Sequence, residues 1–183
     1  WAALSAISTV MRDNLYNAWG NNDRLYPNMY IMLVGPPAMG KQLPITKATG
    51  LVKAVNNTKI MQGSASIQAV IKSLGEYETG GMKGASGLIL APEYASFHAG
   101  DQQNTNDLLT DLWDFHPKWE RNLISWQATL NNVCISMMAG SNETLLKGIL
   151  DQRALFGGLL SRMILVIETR PRHKSGLIRK KAA

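Results

Sequence analysis

MYIMLVGPPAMGKQ, residues 29–42, opens with six mostly apolar, partly β-branched residues, 29–34, that read as a fully buried strand. They run straight into Gly35, Pro36, Pro37, Ala38, Met39, Gly40 and Lys41, a G-x-x-x-x-G-K pattern. Such a loop wraps a polyphosphate with backbone N–H groups, so a Cβ at Gly35 or Gly40 would obstruct it, while Lys41 meets the outer phosphates as a point charge. The positive end of the following helix adds to the attraction. The next position, where a Ser or Thr hydroxyl usually binds Mg²⁺, is Gln42. The strand in front and the helical pattern behind make nucleotide binding the expectation over an ordinary strand-to-helix turn.

Outward from this stretch, the chain alternates strands and helices. Residues 1–19 carry Trp1, Leu4, Ile7, Met11, Leu15 and Trp19 at spacings of three and four, one face of an amphipathic helix ended by Gly20. Residues 42–55 read as a helix with Ile45, Ala48, Leu51, Val52 and Val55 inward and Pro44 tolerated in its first turn. Residues 59–61 form a short candidate strand, and Ser66 is a plausible N-cap for a helix carrying Ile67, Val70, Ile71 and Leu74, stopped by Gly75. After a glycine-rich excursion come the strand 87–91, a helical pattern over 104–115, a hairpin-like stretch to 132, the strand 133–139, a short helix through Leu150 and a last strand at 163–167. Near-continuous apolar strands between helices predict an α/β, three-layer P-loop NTPase fold with a mainly parallel central sheet, whose ligands sit at the carboxyl ends of the strands. The expected division is an N-terminal helix packing on the core (1–24), a P-loop core (25–169) and a basic tail or linker (170–183).

At 183 residues, 45% hydrophobic and 17% charged, the chain can bury one sizeable core, and it has no apolar run long enough to span a membrane as a helix. It begins at Trp1 without a basic-then-apolar leader, which suggests a piece of a longer, non-secreted polypeptide. The single cysteine, Cys134, lies in an apolar strand pattern as a small core residue and fits a reducing cytosol. Net charge is +6, a mild argument for a polyanionic partner, although six of the 19 Lys and Arg lie in residues 170–181. That tail reads either as a solvated end or as a segment lying on DNA.

Nucleotide hydrolysis needs a phosphate cradle, a metal, a polarised water and a cation for charge on the γ-phosphate. Glu93, directly after strand 87–91, is the candidate to position Mg²⁺ or orient water; the plainer alternative is an exposed glutamate starting a helix. The first acid of the usual acidic pair is missing, because Ala91 or Pro92 stands in its place. Asn142, closing strand 133–139, could reach the attacking water or cap a helix, or do both. Arg162, just before the last strand, could reach a phosphate across a subunit boundary or form a surface salt bridge. Trp113, Trp119 and Trp126 with Lys118 and Arg121 could stack on and bind single-stranded nucleic acid, with Trp113 favoured as core. His98, His116 and His173 lie too far apart for a zinc site, and Asp107, Asp111 and Asp114 read as a solvated helix face.

In order, the segments YPNMYIMLVGPPAMGK, LAPEYASF, LLTDLWDFHPKWE, AGSNETLL and GGLLSRMILVIE resemble the AAA+-type ATPase domain of bacteriophage and prophage primase-helicase proteins over about residues 25–170. The resemblance implies an ATP- and Mg²⁺-dependent ring, hexameric, acting on DNA in the bacterial host cytoplasm. Carried over by position, Gly35, Gly40 and Lys41 would hold phosphates, Glu93 would act near Mg²⁺ and water, Asn142 would be the sensor, and Arg162 the finger serving a neighbouring subunit. The hairpin-like stretch 119–132 falls where related helicases put DNA-contacting loops. Gln42 and the missing first acid depart from the pattern, leaving two outcomes. Gln42 offers its amide oxygen or a water to the metal and hydrolysis survives, or the chain is a nucleotide-binding, hydrolysis-deficient subunit of an assembly. A small-molecule kinase is disfavoured, because no arginine-rich lid can be read.

Overall fold

The structure, a computed structural model, describes residues 1–20, 23–55, 58–62, 67–79, 84–97, 102–123, 126–149 and 158–169. Ser66, His98, Leu150, His173 and the tail 170–183 lie outside the described residues. In chain order the elements are α1 (Ala2–Met11), β1 (Asn17–Trp19), β2 (Asp23–Leu25), β3 (Tyr30–Val34), α2 (Gln42–Ala54), β4 (Lys59–Gln62), α3 (Ile67–Thr79) and β5 (Ser86–Ala91). There follow α4 (Tyr94–Phe97), α5 (Gln102–Trp113), β6 (His116–Leu123), β7 (Trp126–Ser141), α6 (Glu143–Ile149), a 3₁₀ turn (Leu160–Arg162) and β8 (Met163–Ile167).

Five strands pair in parallel in the order β4-β5-β7-β3-β8, and β6 pairs antiparallel with the first half of β7. Every residue of β3 and β5 is buried, so the strands carry apolar side chains on both faces and two separate cores form. Tyr30, Met32 and Val34 of β3 join Ile89, Ile135, Met137 and Ala139 under α3 and α5, while Ile31 and Leu33 join Leu88, Leu90 and Met138 under α1 and α2. This is an α/β protein with a mostly parallel sheet covered by helices on its two faces. Among the described residues no helix is long and apolar enough to cross a membrane.

Three details correct the expectations from sequence. First, α1 ends at Met11, where Arg12 adopts φ +54 and leaves the right-handed helical region; residues 17–19 then form a strand. The face that α1 buries carries Ser5, Ala6, Ser8 and Thr9, while Leu4 and Ile7 stay exposed. Small residues let the helix lie close to the sheet, with the Ser8 and Ser136 hydroxyls 3.2 Å apart, and hydroxyls that bond the Ser5 carbonyl need no other partner. Second, α2 presents Ile45, Ala48, Thr49 and Val52 to the sheet, and Leu51 and Val55 turn to the flank, 63% and 40% exposed. Third, α3 runs through Gly75 to Thr79, with the glycine facing Leu130 of the hairpin and in no left-handed conformation that would end a helix.

Candidate nucleotide-binding cleft

The parallel register sets the edge on which a site can form. Val34 pairs with Ser141 and with Ile167, and Ala91 pairs with Ala139. Gly35 therefore starts level with Asn142, and Pro92 and Glu93 start level with Gly140 and Ser141. Because β7 lies between β3 and β5, the loop and the acid stand about 10 Å apart, two interstrand spacings, with Asn142 between them. A cleft of about 600 Å³ opens here, lined by residues 37–42 of the loop, by Pro92, Glu93 and Tyr94, and by Gly140, Ser141, Asn142 and Leu145. Of the predicted residues, Pro37, Ala38, Met39, Gly40, Lys41, Gln42, Glu93 and Asn142 meet on this cleft, whereas Gly35 and Pro36 do not line it.

Two close approaches hold the cleft in shape. The Gly140 Cα lies against β5's exit turn so closely that an added Cβ would stand 2.4 Å from the Pro92 carbonyl oxygen. At Gly35 a Cβ would stand 2.8 Å from the Glu168 carbonyl, and the Glu168 N–H donates to the Val34 carbonyl at 3.0 Å. Gly35 is thus required by the chain leaving β8, a different reason from the phosphate approach expected from sequence. Gly40 has φ +80 with open space around it, so backbone conformation is what demands glycine there.

The loop's donors can be counted. Pro36 and Pro37 have no N–H, and the Gly35 N–H is taken by the Ser141 carbonyl at 3.2 Å. Leu43 donates to Gly40 at 3.1 Å, whereas no backbone acceptor among the described residues takes the N–H of Ala38, Met39, Gly40, Lys41 or Gln42. These run into the first turn of the 13-residue helix α2, where N–H groups have no intrahelical partner. Ala38 sits at φ +61, a left-handed conformation costing a non-glycine residue roughly 1–2 kcal/mol. Lys41 folds back, its Nζ donating to the Gly35 carbonyl at 2.6 Å and the Pro36 carbonyl at 2.8 Å.

Asn142 performs the helix-capping role. Its Oδ1 accepts from the Leu145 N–H at 2.8 Å at the start of α6, and its Nδ2 has no partner among the described residues. Glu93 is exposed at the entry to α4, where its carbonyl accepts from the Ser96 N–H at 3.1 Å, and it is the only carboxylate among the described residues that line this cleft. Gln42 is exposed, with Nε2 3.5 Å from the Thr46 hydroxyl. Among the described residues no group of three His, Cys, Asp or Glu forms a ready metal cage.

The other predicted residues lie elsewhere. Arg162 precedes Met163, which pairs with Tyr30, so it stands at the amino edge of the sheet, opposite the cleft. There it donates to Asp114 at 3.2 Å and to the Gly158 carbonyl at 3.2 Å, with its guanidinium 5.4 Å from the Trp113 ring centre. Lys118 pairs with Glu120 at 2.6 Å, and Arg121 donates to Asn104 at 3.1 Å. Trp119 is buried, contrary to a stacking role, and its Nε1 donates to Asp111 at 2.6 Å; Trp113 is half-buried, and the side chain of Trp126 lies outside the description. Asp107, Asp111 and Asp114 are all exposed, as expected, and Asp111 and Asp114 also hold partners. Sequence reading missed Gly140, Ser141 and Tyr94 on the cleft, although the G-S-N run ending strand 133–139 marks where the first two would fall. No protein-family model and no curated protein sequence matches the chain.

Proposed function

We propose that the chain binds ATP in this cleft and hydrolyses it as part of a ring-forming motor, hexameric, that acts on DNA in phage or plasmid replication as a helicase or translocase. One observation carries the reading: three neighbouring strands, β5, β7 and β3, deliver an acid, a polar amide and a strand–loop–helix with five uncommitted N–H donors to one cleft. That donor set fits a polyphosphate. In this reading the N–H groups of residues 38–42 hold the phosphates. Lys41 exchanges the Gly35 and Pro36 carbonyls for phosphate oxygens. Glu93 orients the attacking water and takes its proton as the bond from the γ-phosphorus to the bridging oxygen breaks. Asn142, its oxygen held in the cap, offers Nδ2 to the water or the γ-phosphate, and Arg162 serves another copy. Mg²⁺, which usually keeps several waters and needs only one or two carboxylates, would neutralise phosphate charge, with Glu93 and the Gln42 amide oxygen as its protein ligands.

Gln42 favours a second reading, a nucleotide-binding subunit that assembles without turnover, because an amide replaces the hydroxyl and Ala91 or Pro92 stands in place of the first acid. Phosphate release with ATP and Mg²⁺, with and without single-stranded DNA, separates the two. Turnover that DNA stimulates and Lys41→Ala abolishes establishes the motor. Absence of turnover in the unsubstituted chain, with activity appearing in Gln42→Thr, refutes hydrolysis and leaves the binding subunit.

A further inference from the structure

We infer that the face of the β1–β2 ribbon bearing Tyr16, Ala18, Arg24 and Tyr26 is a stacking site for single-stranded nucleic acid. The inference rests on the reading of the chain as a motor on DNA, but its residues are separate from those of the cleft. β1 and β2 form a sheet of their own, with Ala18 opposite Arg24 and Asn17 opposite Leu25. Continuing that register by one residue sets Tyr16 opposite Tyr26, and the two-residue period of strands puts all four on one face. Their rings are 6.0 Å apart, and the Arg24 guanidinium carbon lies 4.4 Å from the centre of the Tyr16 ring while the same side chain hydrogen-bonds Tyr26. Ala18, across from Arg24, adds only a methyl group, which leaves a flat shelf beside the guanidinium.

Folding explains only the inner half of this stack. A ribbon of three residues per strand is not stable alone, and Tyr26 anchors it by stacking on Phe115 at 3.9 Å with 20° between the rings. The outer half does no such work: Tyr16 is 49% exposed and Arg24 is exposed. An aromatic ring left half in water with a cation fixed beside it suits a nucleobase, which stacks on the ring or the guanidinium while the charge meets the neighbouring phosphate. The Arg24 cation held against the ring, rather than the net charge of +6, all of which lies in residues 170–183, favours a polyanion over an apolar protein partner. Tyr26 precedes β3 and Phe115 precedes β6, so the site lies at the amino edge, away from the phosphate loop, and a bound strand does not compete with nucleotide.

The test is fluorescence anisotropy of a labelled 20-nucleotide oligo(dT) titrated with the full chain at 50 and 200 mM salt. Tyr16→Ala is expected to weaken binding about tenfold and Tyr16→Phe to keep it, because stacking needs the ring and not the hydroxyl. Arg24→Gln is expected to weaken binding several-fold and to reduce the salt slope by about 0.7, one phosphate contact. Equal affinity of Tyr16→Ala, Arg24→Gln and the unsubstituted chain overturns the inference, as does absence of binding at 50 mM salt. A change of oligomeric state in Tyr16→Ala at unchanged DNA affinity also overturns it and assigns the ribbon to a protein partner. A fluorescent ATP analogue, titrated in parallel against Lys41→Ala, reports on the cleft alone, so failure of nucleotide binding is distinguishable from failure of the ribbon.

Discussion

Adding one methyl group at Gly140 is expected to unsettle the fold and the cleft together. The new Cβ would stand 2.4 Å from the Pro92 carbonyl oxygen, about 1 Å inside ordinary contact, and the obstacle is backbone, so no rotamer change relieves it. Either β7 or the turn carrying Pro92 and Glu93 must move. Overpacking of this kind costs about 1–3 kcal/mol, against which replacing a strand glycine returns roughly 0.5–1 kcal/mol. The net expectation for Gly140→Ala is a loss of about 1–2 kcal/mol, which for a chain of this length lowers Tm by roughly 2–8 °C. Gly50→Ala is the matched control: Gly50 lies inside α2 with nothing within 4 Å of an added Cβ, so the same methyl group should stabilise by roughly 0.5–1 kcal/mol. Urea denaturation followed by circular dichroism measures the pair. Equal stability of the two variants would refute the claim that the β5 exit turn is packed against β7 at Gly140.

Two further outcomes follow from single contacts. Trp119→Phe removes the 2.6 Å hydrogen bond to Asp111 and part of a buried ring, so urea melts should show a loss on the order of 2–3 kcal/mol, whereas Asp107→Asn on the exposed side of α5 should stay within about 0.5 kcal/mol. Burial pushes the Cys134 thiol from 9.0 up to about 12. The unfolded thiol therefore loses its proton first, and its contribution to stability, complete below pH 9, declines as pH rises from 9 towards 12. Denaturation at pH 8 and pH 10 should reveal a drop larger by roughly 1 kcal/mol than that of Cys134→Ala, in which the buried Tyr30 and Tyr94 hydroxyls, also pushed up, still contribute, and an identical drop in both chains would count against the burial argument.

What could be read from sequence was what depends on local pattern. The runs at β3, β5 and the second half of β7 are apolar because both sheet faces are covered, and the punctuation after these three, at Pro37, P-E and G-S-N, falls on the cleft. What could not be read depends on which partner a face meets. The stripe Trp1, Leu4, Ile7 looks like a core face by spacing, yet α1 buries its serines and alanine because close approach to the sheet favours small side chains. Trp119 sits in a charged run and is still buried, since alternation along β6 turns it towards α5 while Lys118 and Glu120 face water. The necessity of Gly35 and Gly140 arises from carbonyls 133 and 48 residues away (168 − 35 and 140 − 92), which no local pattern encodes.

The position of Arg162 limits what it can do. Four residue steps of β8 separate Met163, level with Tyr30, from Ile167, level with Val34, so the arginine starts about 13 Å or more from the edge that carries residues 35–42. A guanidinium held at the far edge cannot reach the cleft at the opposite edge of its own sheet. Its present partners are ones it can leave. Asp114 is 52% exposed, and an ion pair of that kind contributes about 0–1 kcal/mol. The Gly158 carbonyl and the Trp113 ring position the group rather than neutralise it, and its Nε has no partner among the described residues. Gly158 makes the arrangement possible, since at φ +81 an added Cβ would come within 2.9 Å of the guanidinium. Among the described residues the cation thus has one exposed counter-ion and an Nε without a partner, so it is only weakly neutralised where it stands.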